Sequence, residues 1–188
     1  MPKKFNNKYR IDSARLKNWD YRSNGAYFIT ICTANREHFF GEIIGNETSK
    51  EMNFSKVGML AEKYWEQIPE HFPFVSLGNF VIMPNHMHGI LIINNEVAVE
   101  TLQCNVCRNE NGENHFFSEI SPKSGSVSTI IRSYKSVVTR EAHLINSTFK
   151  WHTKFHDHII RDSLSFERIQ NYIEYNPNNW EKDKLYRA

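Results

Sequence analysis

The sequence predicts an α+β fold in which a central antiparallel sheet packs against helices. Three observations predict it. An early run of alternating aromatic and β-branched residues reads as a strand, two apolar runs joined only by Pro84-Asn85 read as a hairpin, and three amphipathic segments at helical period lie between and after them.

Taken in order, Gly25 to Thr33 (GAYFITICT) is the first strand, with His38 to Ile43 (HFFGEI) as its expected partner. Ser55 to Ile68 places Val57, Leu60, Ala61, Tyr64 and Ile68 on one helical face, with Ser55 as N-cap and Pro69 beyond the end. Val75 to Met83 and His86 to Ile93 then pair across the Pro84-Asn85 turn. The second of these runs is apolar on both faces beyond its histidines, the pattern of a central strand covered on both sides. Residues 94 to about 125 are polar, acidic and aperiodic, and read as a loop insertion. A second helix is expected from about Ser126 to Ile145, with Ile130, Ile131, Tyr134, Val137, Val138, Leu144 and Ile145 on one face. A strand near Phe155 to Arg161 precedes a last helix from about Ser163 to Asn176, stopped by Pro177.

With 188 residues, 40% hydrophobic and 13% aromatic, the chain has material for one core, so residues 1–188 form one expected domain. No apolar run approaches the roughly 18–20 residues of a membrane span, and the N-terminus lacks the apolar stretch of a secretory signal. The three cysteines, Cys32, Cys104 and Cys107, make no disulfide framework. A cytoplasmic, nucleoid-associated protein is the expectation, with no membrane partner. The net charge of +2 hides an uneven distribution: residues 1–24 carry +5 and residues 94–120 carry −4. A basic body with an acidic insertion suits polyanions, and equally an ordinary solvated surface.

The densest chemistry lies in Pro84-Asn85-His86-Met87-His88-Gly89. On a strand, residues i and i+2 project to one face, about 6–7 Å apart at the backbone, so His86 and His88 can reach one cation. The same spacing also occurs in hydrogen-bonded core histidines. In the last helix, at about 100° per residue, Phe166, Ile169, Tyr172, Ile173 and Asn176 share one arc. Tyr172 and Asn176, one turn apart, then face the sheet, as a possible nucleophile and amide ligand or as a buried tyrosine and a helix stop.

Other candidates compete. Tyr134 lies mid-stripe and reads as core. His156-Asp157-His158 is a second histidine pair on an expected strand, with a structural or DNA-facing role. Cys104-Asn-Val-Cys107, with His115 nearby, is a lone CxxC and a weak basis for zinc. Lys3, Lys4, Arg10 and Arg15 in the N-terminal arm, and Arg132, Lys135 and Arg140 on the second helix, are candidate phosphate contacts, with Trp19 stacking on bases or anchoring the arm.

At these residues the chain resembles the REP-associated tyrosine transposases, bacterial relatives of the single-tyrosine HUH transposases. The resemblance runs through RLKNWDY, GAYFITICT, VGMLAEKYW, FVIMPNHMHGILI, IIRSYKSVVTR, FHDHIIRD and RIQNYIEYNPNNW, and leaves out only the acidic insertion. It implies a ferredoxin/RRM-like HUH endonuclease fold, a histidine–hydrophobic–histidine metal site at His86, Met87 and His88, and a catalytic tyrosine in a YxxxN arrangement at Tyr172 and Asn176. It further implies Mg²⁺ or Mn²⁺ as cofactor and single-stranded DNA near hairpin-forming palindromic repeats as partner, the protein acting as monomer or homodimer. The expected activity is nicking and strand transfer through a 5′-phosphotyrosine. A zinc-dependent hydrolase unrelated to DNA and a catalytically silent hairpin-binding protein are the alternatives.

Overall fold

The computed structural model describes residues 4–5, 8–9, 16, 19–46, 49–95 and 124–187. Lys3, Arg10, Arg15 and the Cys104, Cys107 and His115 cluster lie outside these residues, as does most of the acidic insertion.

After a short pairing of β1 (Lys4–Phe5) with β2 (Lys8–Tyr9), the chain enters β3 (Gly25–Thr33). β6 (Val75–Met83) and β7 (His86–Ile93) form the expected hairpin, Met83 opposite His86 across the Pro84-Asn85 turn. Together with β8 (Trp151–Ile160) they make a four-stranded antiparallel sheet of order β6-β7-β3-β8. β7 is therefore central, as its two-sided apolarity predicts. β8 is longer than the expected Phe155 to Arg161 segment.

One expected pairing is corrected. The strand near His38 to Ile43 does not join β3, whose two edges are taken by β7 and β8. It forms instead as β4 (Gly41–Gly45) and pairs with the adjacent β5 (Lys50–Phe54) as a separate hairpin. Gly41, at φ 134°, lets the two backbones close: a Cβ there would lie 2.1 Å from the Asn53 carbonyl oxygen.

Helix α1 (Lys56–Glu66) starts where predicted, the Ser55 hydroxyl accepting from the Gly58 N–H at 3.0 Å. Pro69 does not close a longer helix; it sits in the first turn of a separate short α2 (Ile68–His71), the position its missing N–H tolerates. Helix α3 (Val127–His143) is capped by Ser126 and ends short of the expected Ile145, so Leu144 (81% exposed) and Ile145 leave the core stripe. Helix α4 (Ser163–Glu174) begins at Asp162, which accepts from the Ser165 N–H at 2.8 Å. It ends two residues before Asn176, which lies in the following turn with its N–H on the Ile173 carbonyl at 3.2 Å.

Alternate residues of each strand divide between two faces. Tyr27, Ile29 and Ile31 of β3, with Met87, Leu91 and Ile93 of β7, pack beneath α1 and α3 against Trp65, Ile130, Ile131, Tyr134 and Val138. Burying each large side chain contributes about 1.5–3 kcal/mol, and this face is where the main core sits. Gly89 belongs to it: a Cβ there would stand 2.5 Å from the Trp65 ring, so the residue after His88 has no room for a side chain. The opposite face, around Ile90, Ile160 and Ile173, is covered by α4. Among the described residues no helix is long and apolar enough to cross a membrane.

Candidate active site

The α4 face receives His86 and His88, because pairing places Cys32 opposite His86 and Thr30 opposite His88. Their ring centroids are 4.6 Å apart. The turn residue Asn85, fully buried, fixes the first ring. Its Nδ2 donates to the carbonyls of Leu185 (3.0 Å) and Arg36 (3.3 Å), which leaves Oδ1 for His86 Nδ1 at 2.8 Å. His86 must then donate from Nδ1 and keep its lone pair on Nε2, an atom buried with no hydrogen-bond partner. His88 Nδ1 lies 2.9 Å from Thr30 Oγ1, and its Nε2 faces Tyr172. Burial holds the His86 imidazole well below its ordinary range and brings His88 down to about 4, the Asp183 charge opposing the shift. Both rings are neutral at pH 7, the form that ligates metals.

Tyr172, on the last full turn of α4, is 45% exposed and puts its hydroxyl 3.1 Å from His88 Nε2. The hydroxyl also donates to Asp183 Oδ2 at 3.2 Å. Burial, then the Asp183 charge, pushes the phenol up to about 12. Asn176 is buried, donates from Nδ2 to the same Asp183 oxygen at 3.2 Å, and leaves its Oδ1 buried without a partner. Tyr172 and Asn176 thus both lie toward the histidine pair, as the wheel places them, although Asn176 arrives from the turn after the helix.

Asp183 was not expected. Its Oδ2 stands 3.9 Å from His86 Nε2, and one ligand atom from each of His86, His88 and Asp183 lie within 4.8 Å of one another. The C-terminal segment that delivers it is pinned at several points. Trp180 packs on His86 and Tyr186, Lys50 Nζ meets Glu181 at 2.8 Å, and the Leu185 N–H closes on Asp183 Oδ1 at 2.6 Å. Two neutral imidazoles, a carboxylate and the Asn176 amide oxygen form a donor set that fits a divalent cation, and two of these acceptors, His86 Nε2 and Asn176 Oδ1, are buried without a partner.

A cleft of about 880 Å³ opens beside this cluster, with Phe28, Arg36, Lys154, His156, Lys182 and Tyr172 in its wall. His156 pairs with Thr30 and His158 with Phe28, so the second histidine pair shares the site face on the exposed side of β8 but stands apart from the His86 cluster.

The remaining candidates are elsewhere. Tyr134 is 2% exposed on the other face, its hydroxyl donating to the Ala61 carbonyl at 3.0 Å, and burial pushes its pKa well above the ordinary value. Arg132, Lys135 and Arg140 ride on α3, and the sheet separates that helix from the histidine pair. Arg132 is exposed, Arg140 pairs with Glu141 at 2.8 Å, and Lys135 donates to the His152 carbonyl at 2.6 Å. Lys4 lies in β1. Trp19 packs against the core and donates to the Tyr27 hydroxyl at 3.1 Å, the anchoring role rather than the stacking one.

No family model matches the chain. An uncharacterized protein of Haemophilus influenzae is 39% identical over 177 residues, which cover 93% of this chain and 92% of that protein. Among solved structures, a REP-associated tyrosine transposase bound to a REP hairpin is similar with a TM-score of 0.55 and 18% identity, over 89% of this chain and 73% of that one. The antiparallel sheet with its helices is the fold of that transposase, and by sequence the chain belongs to one family with the uncharacterized Haemophilus influenzae protein.

Proposed function

We propose that the protein is a metal-dependent single-stranded DNA endonuclease and strand transferase, acting near hairpin-forming repeats through a 5′-phosphotyrosine on Tyr172. The observation that carries this reading is the convergence of the Tyr172 hydroxyl, 3.1 Å from His88 Nε2, on the cluster of His86, His88, Asn176 and Asp183. A nucleophile and a set of cation donors on one point is what phosphodiester transfer requires. The fold shared with a transposase bound to a REP hairpin supports the choice of DNA.

His86, His88 and Asp183 would hold the cation, with Asn176 Oδ1 facing the same point. Mg²⁺ or Mn²⁺ bound there would polarise a non-bridging phosphate oxygen. Tyr172 Oη attacks phosphorus, the bond to the 3′-oxygen breaks, and the departing strand leaves as a 3′-hydroxyl. Asp183 Oδ2, already accepting from the hydroxyl at 3.2 Å, is the base in reach of the phenol proton. The new phosphotyrosine keeps the phosphodiester energy, so the 3′-hydroxyl of a second strand can displace Tyr172 without a nucleotide cofactor. His88, locked by Thr30, and His86, locked by Asn85, keep their outer nitrogens aimed at the reacting group.

A 3′-labelled hairpin oligonucleotide with a single-stranded flank tests this. Incubated with Mg²⁺ or Mn²⁺, the wild-type protein is expected to retain label through denaturing electrophoresis, and His86→Ala or chelator to reduce it at least about 100-fold. Full adduct formation in chelator would remove the metal from the reading, and no adduct under any condition would remove the reaction.

A further inference from the structure

The mechanism above leaves a half-buried cation of the site, Arg36, without a role. Arg36 ends the 3₁₀ turn Ala34–Arg36 that leads out of β3, and both it and Asn35 hold left-handed backbone, at φ 61° and 53°. Residues with side chains seldom adopt that region, and where they do the surroundings enforce it, most often at functional sites. Here Asn85 is part of that enforcement: its amide accepts His86 on one side and donates to the Arg36 carbonyl at 3.3 Å on the other. One buried side chain therefore sets the position of both the first histidine and the arginine.

Arg36 lines the cleft with His88, Tyr172 and Asn176. Its Nη1 is buried without a hydrogen-bond partner, and among the described residues no carboxylate pairs with it. A buried charged donor left unmade is costly, and the ligand that satisfies a planar fork is an oxyanion offering two acceptors. Lys154, Lys182 and Lys184 face the same cleft, against one carboxylate, Asp183. The charge of the cleft therefore matches a polyanion, although the chain as a whole is only +2.

We propose that Arg36 is the phosphate clamp of the cleft, its guanidinium binding the non-bridging oxygens of the phosphodiester presented to Tyr172 while the strand runs past Lys154 and Lys182. This rests on the nicking reading of the same site. The clamp holds the phosphate in line with Tyr172 Oη and faces the negative charge that grows on those oxygens during attack. Lysine at this position keeps a charge but loses the fork.

Binding of the hairpin oligonucleotide is measured by fluorescence anisotropy across a NaCl series, in chelator and in a Tyr172→Phe background that cannot turn over. Arg36→Gln is expected to weaken binding about tenfold and to flatten the slope of log K against log [salt] by about 0.7, the loss of one phosphate contact. Arg36→Lys is expected to keep the slope and, with Tyr172 intact, to slow adduct formation. Lys63→Gln on the far side of the sheet, an exposed position, should leave both unchanged. Affinity and slope unchanged in Arg36→Gln would overturn the clamp. A parent protein with no salt-dependent binding would overturn the nicking reading beneath it. Should Arg36→Gln not fold, Arg36→Lys carries the test, and adduct formation at the parent rate would overturn the proposal.

Discussion

On one face of the sheet Met87, Leu91 and Ile93 disappear beneath α1 and α3; on the other, among the described residues, their chain neighbours His86, His88 and Ile90 are covered by α4 and the C-terminal segment. The backbone is the same and the pleat alone decides which side chain goes where. Two helices fill the first face to the point that Gly89 cannot carry a methyl group against Trp65. One helix of 12 residues leaves a cleft on the second. Tyr134 and Tyr172 show what the difference does to a single functional group. Under α3 the phenol is shut away on the Ala61 carbonyl, and on α4 it stands half-exposed between a carboxylate and an imidazole.

The largest expected effect separating the faces is on stability against pH. His88 has an unperturbed value of 6.5 and is held at about 4, chiefly by burial. Between those values the unfolded chain takes up a proton that the folded chain refuses. Stability is therefore complete above pH 6.5 and declines as pH falls toward 4, by up to about 3 kcal/mol for this group alone. His86 shifts in the same direction. Urea unfolding in chelator at pH 7.5, 5.5 and 4.5 checks this, and His88→Gln should remove much of the dependence. Equal loss in a His86→Gln/His88→Gln double variant would place the pH sensitivity outside the site face.

A smaller effect distinguishes the two tyrosines. Tyr134→Phe leaves the Ala61 carbonyl without its buried donor and should cost about 1 kcal/mol while preserving adduct formation. Tyr172→Phe, at a half-exposed position, should change stability by no more than about 0.5 kcal/mol while removing the adduct. Denaturant midpoints and adduct yields measured side by side would sharpen the contrast. The opposite assignment of the two losses would break it.

Much of this arrangement is legible in the sequence because it depends on short-range periodicity. The i, i+2 spacing of His86 and His88, the Pro84-Asn85 turn and the stripe carrying Tyr172 each lie within one element and follow from its period. What was not legible depends on chain segments meeting from far apart. Asp183 lies in an aperiodic tail, and long-range contacts such as the packing of Trp180 on His86 and the closure of Leu185 on Asn85 bring its carboxylate to the site. Arg36 follows a strand in a turn whose left-handed backbone carries no glycine to announce it. The pairing of β4 with β5 rather than β3 is not legible because β3 offers two edges, and the hydrophobic pattern does not say that β7 and β8 occupy both. An exposed helix face looks the same whichever side of the sheet it covers, so the sequence does not say that Arg132, Lys135 and Arg140 lie across the sheet from the histidine pair.

The central claim is that Tyr172 is the group that becomes joined to DNA. After incubation of the wild-type protein with the hairpin oligonucleotide and Mn²⁺, trypsin should leave the nucleotide remnant on the peptide from Ile169 to Lys182. Fragmentation should then assign it to Tyr172 rather than Tyr175. A remnant on the Ser133 to Lys135 peptide, which carries Tyr134, would contradict the account.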